Sequence, residues 1–335
     1  MPDRPGEGFA ARKGREMTRR RWYAPLGLGI LILLGVGTLL SRQYLEGQGS
    51  PASLFARKGH LATVMPLSPA TPPSHEASDL LLASSTGLTV RCRIRGAHGP
   101  GPHPGIILLD GIKQGRRVVD YPAIAEIAQN ALVISMDYPL EWIERLKWWE
   151  LPRAAFALRG SALDAVSAIL LMLDYLEARP DVDTKRMILV GTSFGAPLAV
   201  IAGGIDPRAA AVAVLYGGGN LGELIAHNLR KSGRLGRVPI PRMGAGLIGW
   251  AAAVAIFPLE PNRYAPLITP RPFLVMSGAD DELIPRERVL ALHQAARPPK
   301  DLFWVQSKHL RPKQEELIRS LSKRLTEWLV EQHLL

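Results

Sequence analysis

The chain has 335 residues, of which 47% are hydrophobic, so it can bury one large core. Its one cysteine, Cys92, excludes an intrachain disulfide and any site that needs a pair of cysteines. The formal net charge is +11, but the basic residues are not interleaved with aromatic residues as in nucleic-acid-binding modules. We therefore expect no nucleic-acid partner and favour an anionic membrane surface.

The first 40 residues predict a membrane anchor. Residues 1–21 contain seven basic and three acidic residues, which indicates a basic cytoplasmic head. Residues 22–40 form the predicted transmembrane signal anchor, because the 18 residues from Tyr23 to Leu40 are uncharged and, at ~1.5 Å each, span roughly 27 Å. The positive-inside rule then predicts a single-pass membrane protein whose remaining chain lies on the non-cytoplasmic side, periplasmic or extracellular in a bacterium.

Two alternatives for this segment stay open. Small residues around Ser50 to Ala52 allow cleavage by a signal peptidase, although the apolar run is longer than the usual secretory core. The stretch from Thr18 to Trp22 also resembles a twin-arginine export signal. The next segment, residues 41–78, is rich in Gly, Pro, Ser and Ala, and we expect it to be a flexible linker.

From residue 79 onward, predicted strands and helices alternate. An antiparallel hairpin comes first, at Leu80 to Ala83 and Leu88 to Ile94. The later predicted strands are short apolar runs: Gly105 to Leu109, Ala131 to Met136, Met187 to Val190, Ala210 to Tyr216, Phe273 to Ser277 and Leu302 to Val305. The predicted helices include Tyr121 to Asn130, Ser161 to Ala178 and Gln314 to Leu334. This alternation predicts one α/β domain over residues 79–335, with a mostly parallel sheet covered by helices on both faces.

A predicted strand, a turn and a predicted helix meet at the sequence Gly-Thr-Ser-Phe-Gly, residues 191–195. The apolar run before it predicts the strand, and the small residues from Ala196 to Gly204 predict the helix. In that setting G-x-S-x-G indicates a nucleophile elbow, in which the serine has a strained backbone and the glycines let neighbouring chains approach. Ser193 is therefore the candidate nucleophile, and the first amides of the helix are candidates for stabilising an oxyanion.

A serine hydroxyl needs a base to take its proton, and the base needs a carboxylate to orient it. Two candidate acids, Asp280 and Asp281, lie in the loop that follows the predicted strand at Phe273 to Ser277. His309 comes just past the last predicted strand, which makes it the candidate base. The order Ser, Asp, His along the chain is the order found in α/β-hydrolases.

The motifs GTSFGA, SGADDELIP and SKH make the chain from about residue 80 to residue 334 resemble the α/β-hydrolases, of the serine esterase or dienelactone-hydrolase-like kind. The resemblance implies the α/β-hydrolase fold and, by the spacing to Pro285, selects Asp281 as the acid. It also implies an oxyanion hole formed by the backbone amides of Ile112 and Phe194. No cofactor and no metal ion are implied.

Two positions depart from the family's pattern. Lys308 precedes His309, where family members usually have glycine. Asp110 precedes Gly111 after the third strand, where the family usually has histidine. A carboxylate at position 110 is unfavourable beside a developing anion unless it points away.

An insertion from about residue 221 to residue 268 interrupts the alternation of strands and helices, and its length predicts a lid over the serine. Its first part is basic, and its second part, Met243 to Leu259, carries no charge. Such a run must bury against the mouth of the site, an acyl chain or a membrane. The alternative is a helix that packs permanently on the core.

The sequence therefore predicts a membrane-tethered serine hydrolase that cleaves carboxylic esters through an acyl-enzyme. Ser193 attacks, His309 moves the proton and Asp281 orients the histidine. The predicted partners are a small-molecule ester with an apolar acyl group and the membrane, which is reached through the N-terminal helix. The alternatives are a peptidase or amidase that uses the same residues, and a non-catalytic binding protein of the same fold.

Overall fold

The computed structural model describes residues 44, 47–67, 77–111, 114–139, 151–235 and 238–335. The chain divides into two units, residues 1–47 and residues 48–335, and the second contains the sheet and the helices described below. The predicted basic head and the predicted transmembrane anchor, residues 1–21 and 22–40, lie outside the described residues. Among the residues that are described, no helix is both long and apolar enough to cross a bilayer.

A nine-stranded sheet, counted over the described residues, forms the centre of the domain. The strands of the chain are β1 (Leu61–Pro66), β2 (Ser78–Ser84), β3 (Thr89–Arg95), β4 (His103–Leu109), β5 (Leu132–Met136), β6 (Val182–Thr192), β7 (Ala209–Leu215), β8 (Arg234–Leu235), β9 (Val238–Pro239), β10 (Phe273–Gly278) and β11 (Lys300–Val305). The sheet has the order β1-β2-β3-β5-β4-β6-β7-β10-β11, and β8 and β9 form a separate hairpin. Pairs from β1 to β5 are antiparallel and pairs from β5 to β11 are parallel, so the prediction of a mostly parallel sheet is confirmed.

Helices cover both faces of this sheet. They are α1 (Pro51–Lys58), α2 (Pro122–Ile127), α3 (Leu151–Glu177), α4 (Gly195–Ile205), α5 (Leu221–Ser232), α6 (Arg242–Ala255), α7 (Arg286–Ala295) and α8 (Glu315–Glu331), and a 3-10 helix at Gly115–Asp120 precedes α2. One core contains α1, α3, α4 and α7, and the other contains α2 and α8. There are two cores because alternate side chains of a strand point to opposite faces of the sheet. In β4, Ile107 and Leu109 enter the first core, and Ile106 and Leu108 enter the second. A strand covered on both faces is a continuous apolar run.

Part of the predicted flexible linker, residues 41–78, is ordered, which corrects that prediction. Ser50 caps α1, and Leu54 of this helix is fully buried. Lys58 Nζ lies 2.5 Å from a carboxylate oxygen of Asp174 in α3. The strand β1 then pairs with β2 at the edge of the sheet. The composition misleads here because Ser, Pro and Gly occur at helix caps and turns as well as in linkers.

The predicted insertion, residues 221–268, lies between β7 and β10 and consists mainly of the helix pair α5 and α6. Three short 3-10 turns complete it: Phe257–Leu259, Pro261–Arg263 and Ala265–Leu267. Gly222 and Gly249 let the two helices pack closely, because a Cβ at either position would overlap the partner helix. His227 Nε2 of α5 lies 3.1 Å from the carbonyl oxygen of Glu282. The insertion therefore contacts the loop that carries the two candidate acids.

Candidate active site

The predicted nucleophile elbow forms where β6 ends and α4 begins. Ser193 has a φ of 52°, in the left-handed region that residues with a side chain rarely adopt. A Cβ at Gly191 would overlap the backbone of the new helix, and a Cβ at Gly195 would overlap the carbonyl group of Leu109 in β4. The Ser193 N–H donates to the Leu215 carbonyl oxygen of β7 at 2.9 Å. These contacts hold the serine at the carboxyl edge of the sheet.

The three side chains that the sequence singles out lie in one hydrogen-bonded row. Ser193 Oγ is 3.1 Å from His309 Nε2, and His309 Nδ1 is 2.7 Å from Asp281 Oδ2. The Asp281 side chain is completely buried, and that of His309 is 10% exposed. A carboxylate beside Nδ1 favours the tautomer that carries its proton there. The lone pair of Nε2 then faces the serine hydroxyl.

The neighbouring acids, Asp280 and Asp281, have different surroundings. Asp281 Oδ1 accepts hydrogen bonds from two backbone N–H groups of the following loop, at 2.8 and 3.0 Å, which leaves Oδ2 facing His309. Asp280 is exposed, and its carboxylate accepts a hydrogen bond from Gln306 Nε2 at 2.5 Å. Of the two candidates, Asp281 is therefore the acid that contacts the histidine.

The predicted oxyanion hole lies only partly within the described residues. Phe194 is at the start of α4, where backbone N–H groups lack intrahelical acceptors. The second predicted donor, Ile112, lies outside the described residues. The Phe194 ring packs edge-on against Tyr138, with the ring centroids 5.1 Å apart. Tyr138 donates to the carbonyl oxygen of Asp110 at 2.6 Å, so it links the elbow to the end of β4.

A cavity of about 400 Å³ opens beside Ser193 and His309. Its walls come from α2, α8 and the ends of three strands, and its apolar lining includes Leu108, Val118, Ile124, Val190, Leu215, Ile318, Leu321 and Leu325. None of the described residues that line it belongs to the insertion, residues 221–268. The structure therefore differs from the expectation of a lid over the serine. The C-terminal helix α8 supplies the apolar wall that the sequence analysis sought in the insertion.

Asp110 is the one acid among the described residues that line this cavity. Burial raises the pKa of its carboxyl group to about 6, although a hydrogen bond with the Gly111 backbone partly opposes the shift. Burial together with the nearby Asp110 charge raises the pKa of Tyr121 to about 12. The departure from the family pattern at position 110 therefore places an acidic group inside the cavity.

We expect replacement of Asp110 with asparagine to stabilise the protein at neutral pH. The pKa of the Asp110 carboxyl group is about 6 in the folded protein, against an ordinary value of 3.8 that applies to the unfolded chain. Between those pH values the folded chain therefore binds more protons than the unfolded chain. Stability from this group is present at low pH and is lost as the pH rises through 6. The gain for Asp110→Asn at pH 7.5 is on the order of 1–2 kcal/mol, after allowance for solvent screening at a cavity wall. Urea unfolding at pH 4.5 and 7.5 measures it, and equal gains at both pH values would contradict the explanation.

Tyr216, at the end of β7, is a site residue that the sequence analysis missed. Its ring packs edge-on against His309, with the ring centroids 5.7 Å apart. Its hydroxyl lies 2.5 Å from Ser307 Oγ, two residues before the histidine. Burial raises the pKa of Tyr216, so the phenol stays neutral around pH 7. No motif marks this position, since its role depends on a φ of 52° and on a neighbour distant in sequence.

Within the described residues, no group of three or more His, Cys, Asp or Glu side chains is positioned to hold a metal ion. The chain's cysteine, Cys92, is buried in β3. Burial raises the pKa of its thiol far above the usual range, so the thiolate needed for nucleophilic attack does not form near neutral pH.

Solved structures with a similar fold include several esterases and hydrolases. The chain is similar to acetyl xylan esterase 1 of Thermoanaerobacterium sp., with a TM-score of 0.55 and 16% identity, covering 81% of this chain and 92% of that chain. It is also similar to an esterase of Pyrococcus furiosus, with a TM-score of 0.55 and 16% identity, covering 79% of this chain and 96% of that chain. A third similar structure is an α/β-hydrolase of Penicillium sp., with a TM-score of 0.51 and 17% identity, covering 75% of this chain and 97% of that chain. No protein-family model and no curated protein matches the sequence. The domain has the α/β-hydrolase fold.

Proposed function

We propose that this protein is a serine hydrolase that cleaves carboxylic esters through an acyl-enzyme. The observation that carries the proposal is the hydrogen-bonded row Ser193, His309 and Asp281, with distances of 3.1 and 2.7 Å, beside an apolar cavity. A buried carboxylate, an imidazole and a serine at a strained turn are the groups that acyl transfer requires. The esterases among the structures with a similar fold support an ester as the substrate.

The mechanism proceeds in two halves. Ser193 Oγ attacks the carbonyl carbon while His309 Nε2 takes the hydroxyl proton, and Asp281 stabilises the imidazolium that forms. His309 then donates the proton to the alcohol oxygen, the carbon–oxygen bond breaks, and the acyl group remains on the serine. In the second half, water attacks the acyl-enzyme with His309 again as the base. The carboxylic acid leaves, and the serine hydroxyl is restored.

Each tetrahedral intermediate places a negative charge on the former carbonyl oxygen. The backbone N–H groups of Phe194 and Ile112 are the proposed donors to that oxygen, and each such donor contributes roughly 10²- to 10³-fold in rate. The position of Phe194 at the N-terminus of α4 supports its part in this assignment. The part of Ile112 rests on the resemblance described above.

A fluorophosphonate probe and a pair of matched substrates test the proposal. We expect the probe to label Ser193, because it reports an activated serine without requiring the natural substrate. p-Nitrophenyl butanoate should be hydrolysed faster than the p-nitroanilide of the same acid. Faster anilide cleavage would instead indicate an amidase or peptidase. Absence of both labelling and turnover would indicate a non-catalytic binding protein.

We also propose that the insertion, residues 221–268, meets an anionic lipid surface while the N-terminal anchor, residues 22–40, holds the catalytic domain on the non-cytoplasmic side. In α6, Leu247 and Trp250 lie about one turn apart and are 67% and 61% exposed. Three exposed arginines lie near the junction of α5 and α6: Arg230, Arg234 and Arg242. Apolar side chains beside cations suit the interface of an acidic bilayer.

Charge reversal tests this second proposal. We expect anionic vesicles to stimulate ester hydrolysis, and the triple variant of Arg230, Arg234 and Arg242 to glutamate to lose most of that stimulation, because each cation near such a surface contributes about 1 kcal/mol. Added salt should weaken the effect in the unmodified protein. Lys231 is left unchanged because its ammonium lies 4.0 Å from Glu282, in the loop beside the acid.

The matched control reverses three exposed cations on other elements, Lys185, Arg297 and Lys323. This variant changes the net charge equally, so it separates the insertion's surface from overall charge. Unchanged stimulation of the insertion variant, or an equal loss in the control, would contradict a lipid-facing insertion.

A further inference from the structure

The cavity beside Ser193 has a polar side that the reaction described above does not use. Asp110, Gln114 and Tyr121 contribute to this side. Leu109, the last residue of β4, pairs with Gly191 at the end of β6. Asp110 is therefore one residue beyond the strand, next to the elbow. The arrangement places a carboxyl group on the polar side of the cavity that the reacting serine also lines.

Two hydrogen bonds hold Asp110 in place, one at its main-chain carbonyl and one at its carboxyl group. Tyr138 donates to the Asp110 carbonyl oxygen at 2.6 Å, and the carboxyl group is hydrogen-bonded to the Gly111 backbone. Of the described residues that line the cavity, the basic ones are His309 and Arg311. His309 is engaged in the row with the serine, and the Arg311 side chain is 73% exposed. Neither therefore neutralises Asp110 within the cavity wall.

A carboxyl group with a pKa of about 6 is ionised at pH 7.5. When a substrate fills the cavity, it displaces water from this carboxylate. An acyl group without a donor leaves the carboxylate poorly solvated, and this costs free energy. An acyl group that carries a hydroxyl or an ammonium replaces the lost hydrogen bond with one to a charged acceptor.

We propose that Asp110 determines substrate specificity by selecting esters whose acyl group carries a hydrogen-bond donor on one of the first carbons beyond the carbonyl. The inference rests on the ester hydrolysis proposed above. We assign the cavity to the acyl part because that part stays on Ser193 after the alcohol leaves, and because the cavity beside Ser193 has apolar walls that include residues of α2 and α8. The apolar walls receive the rest of the acyl chain.

The first test compares three substrates that differ only in the substituent on carbon 3 of the acyl group, with the unmodified full-length protein at pH 7.5. They are the p-nitrophenyl esters of butanoic, 3-hydroxybutanoic and 3-aminobutanoic acid. A hydrogen bond to a buried charged group corresponds to about a 10- to 100-fold preference in kcat/KM for a donor-bearing ester over the butanoate. A gain for the hydroxyl ester, the amino ester or both supports the inference and identifies the donor. Equal kcat/KM values for all three overturn it.

The second test uses Asp110→Asn, which keeps the shape of the side chain and removes its charge. We expect the preference to fall to within about threefold, largely because the butanoate no longer desolvates a carboxylate. The matched control, Glu287→Gln, removes an exposed carboxylate from α7, a helix that contributes none of the described residues lining the cavity, and should keep the preference. Retention of the full preference in Asp110→Asn overturns the inference, and circular dichroism checks that both variants are folded.

Labelling separates this inference from the function on which it rests. If the fluorophosphonate probe labels Ser193 and the butanoate is hydrolysed, but no ester is preferred, only the role of Asp110 is overturned. If labelling and hydrolysis are both absent, the proposed ester hydrolysis fails, and the role of Asp110 fails with it.

Discussion

Replacing Ser193 with alanine is expected to reduce kcat for p-nitrophenyl butanoate by about 10⁴-fold or more. The reason is the geometry at the elbow: Ser193 Oγ is 3.1 Å from His309 Nε2, and alanine leaves the base with no proton to take. Steady-state kinetics measures the loss, and the fluorophosphonate probe should no longer label the protein. The fold should persist, because serine and alanine both carry a Cβ and so meet the same strain at the positive φ of 52° that this turn requires.

A second serine provides the control for this experiment. Ser232, at the end of α5, hydrogen-bonds to the backbone of Leu229 and Arg234 in its own segment. Ser232→Ala should therefore keep the activity and the labelling of the unmodified protein within about twofold. Wild-type turnover in Ser193→Ala would show that another group performs the attack.

The local part of this site could be predicted because its signals are local. The elbow needs glycines two residues before and after the serine, and the structure supplies the cause: a Cβ at Gly195 would overlap the backbone of β4. The candidate acid follows β10, which is buried along its whole length, and the candidate base follows β11, whose apolar residues 302–305 mark the last strand although β11 lies at the sheet edge and is only half-buried. The mostly parallel sheet is therefore confirmed, and Ser193, Asp281 and His309 lie within hydrogen-bonding distance of one another.

Other features depend on contacts between distant segments, and no local pattern records them. Tyr216 reaches the site through its packing against His309 and its hydrogen bond to Ser307. The wall formed by Leu321 and Leu325 of α8 has the same amphipathic pattern as any helix that packs on a sheet. The lid was predicted from the length of the insertion and from its uncharged second part. Neither property reveals which surface a helix covers.

The segment before β2 shows the opposite kind of error. Its composition indicates a linker, but the fully buried Leu54 and the partly buried Phe55 of α1 pack on the core that contains α3. An ion pair between Lys58 and Asp174 adds a polar contact at the same junction. Short elements of this kind are held by a few tertiary contacts, and a composition average over a long window does not detect them.

Exchanging each of the adjacent acids for asparagine is expected to separate their roles by several orders of magnitude. Asp281→Asn should lower kcat by about 10³- to 10⁴-fold, whereas Asp280→Asn should lower it by no more than about threefold. In Asp281→Asn the side-chain oxygen can still accept the hydrogen bonds that two loop N–H groups donate to Asp281 Oδ1, so the loop can retain its shape. Its amide nitrogen then faces His309 Nδ1, which must act as an acceptor, and the ring proton moves to Nε2.

In that tautomer His309 cannot accept the proton of Ser193, so the loss should appear in kcat with KM little changed. Asp280→Asn is the matched control, because it makes the same substitution one residue earlier, on an exposed side chain bonded to Gln306. Kinetics with p-nitrophenyl butanoate, together with thermal melting of both variants, measures the difference. Equal small losses in the two variants would place the orienting carboxylate elsewhere, and a large loss in Asp280→Asn alone would assign it to the neighbouring residue.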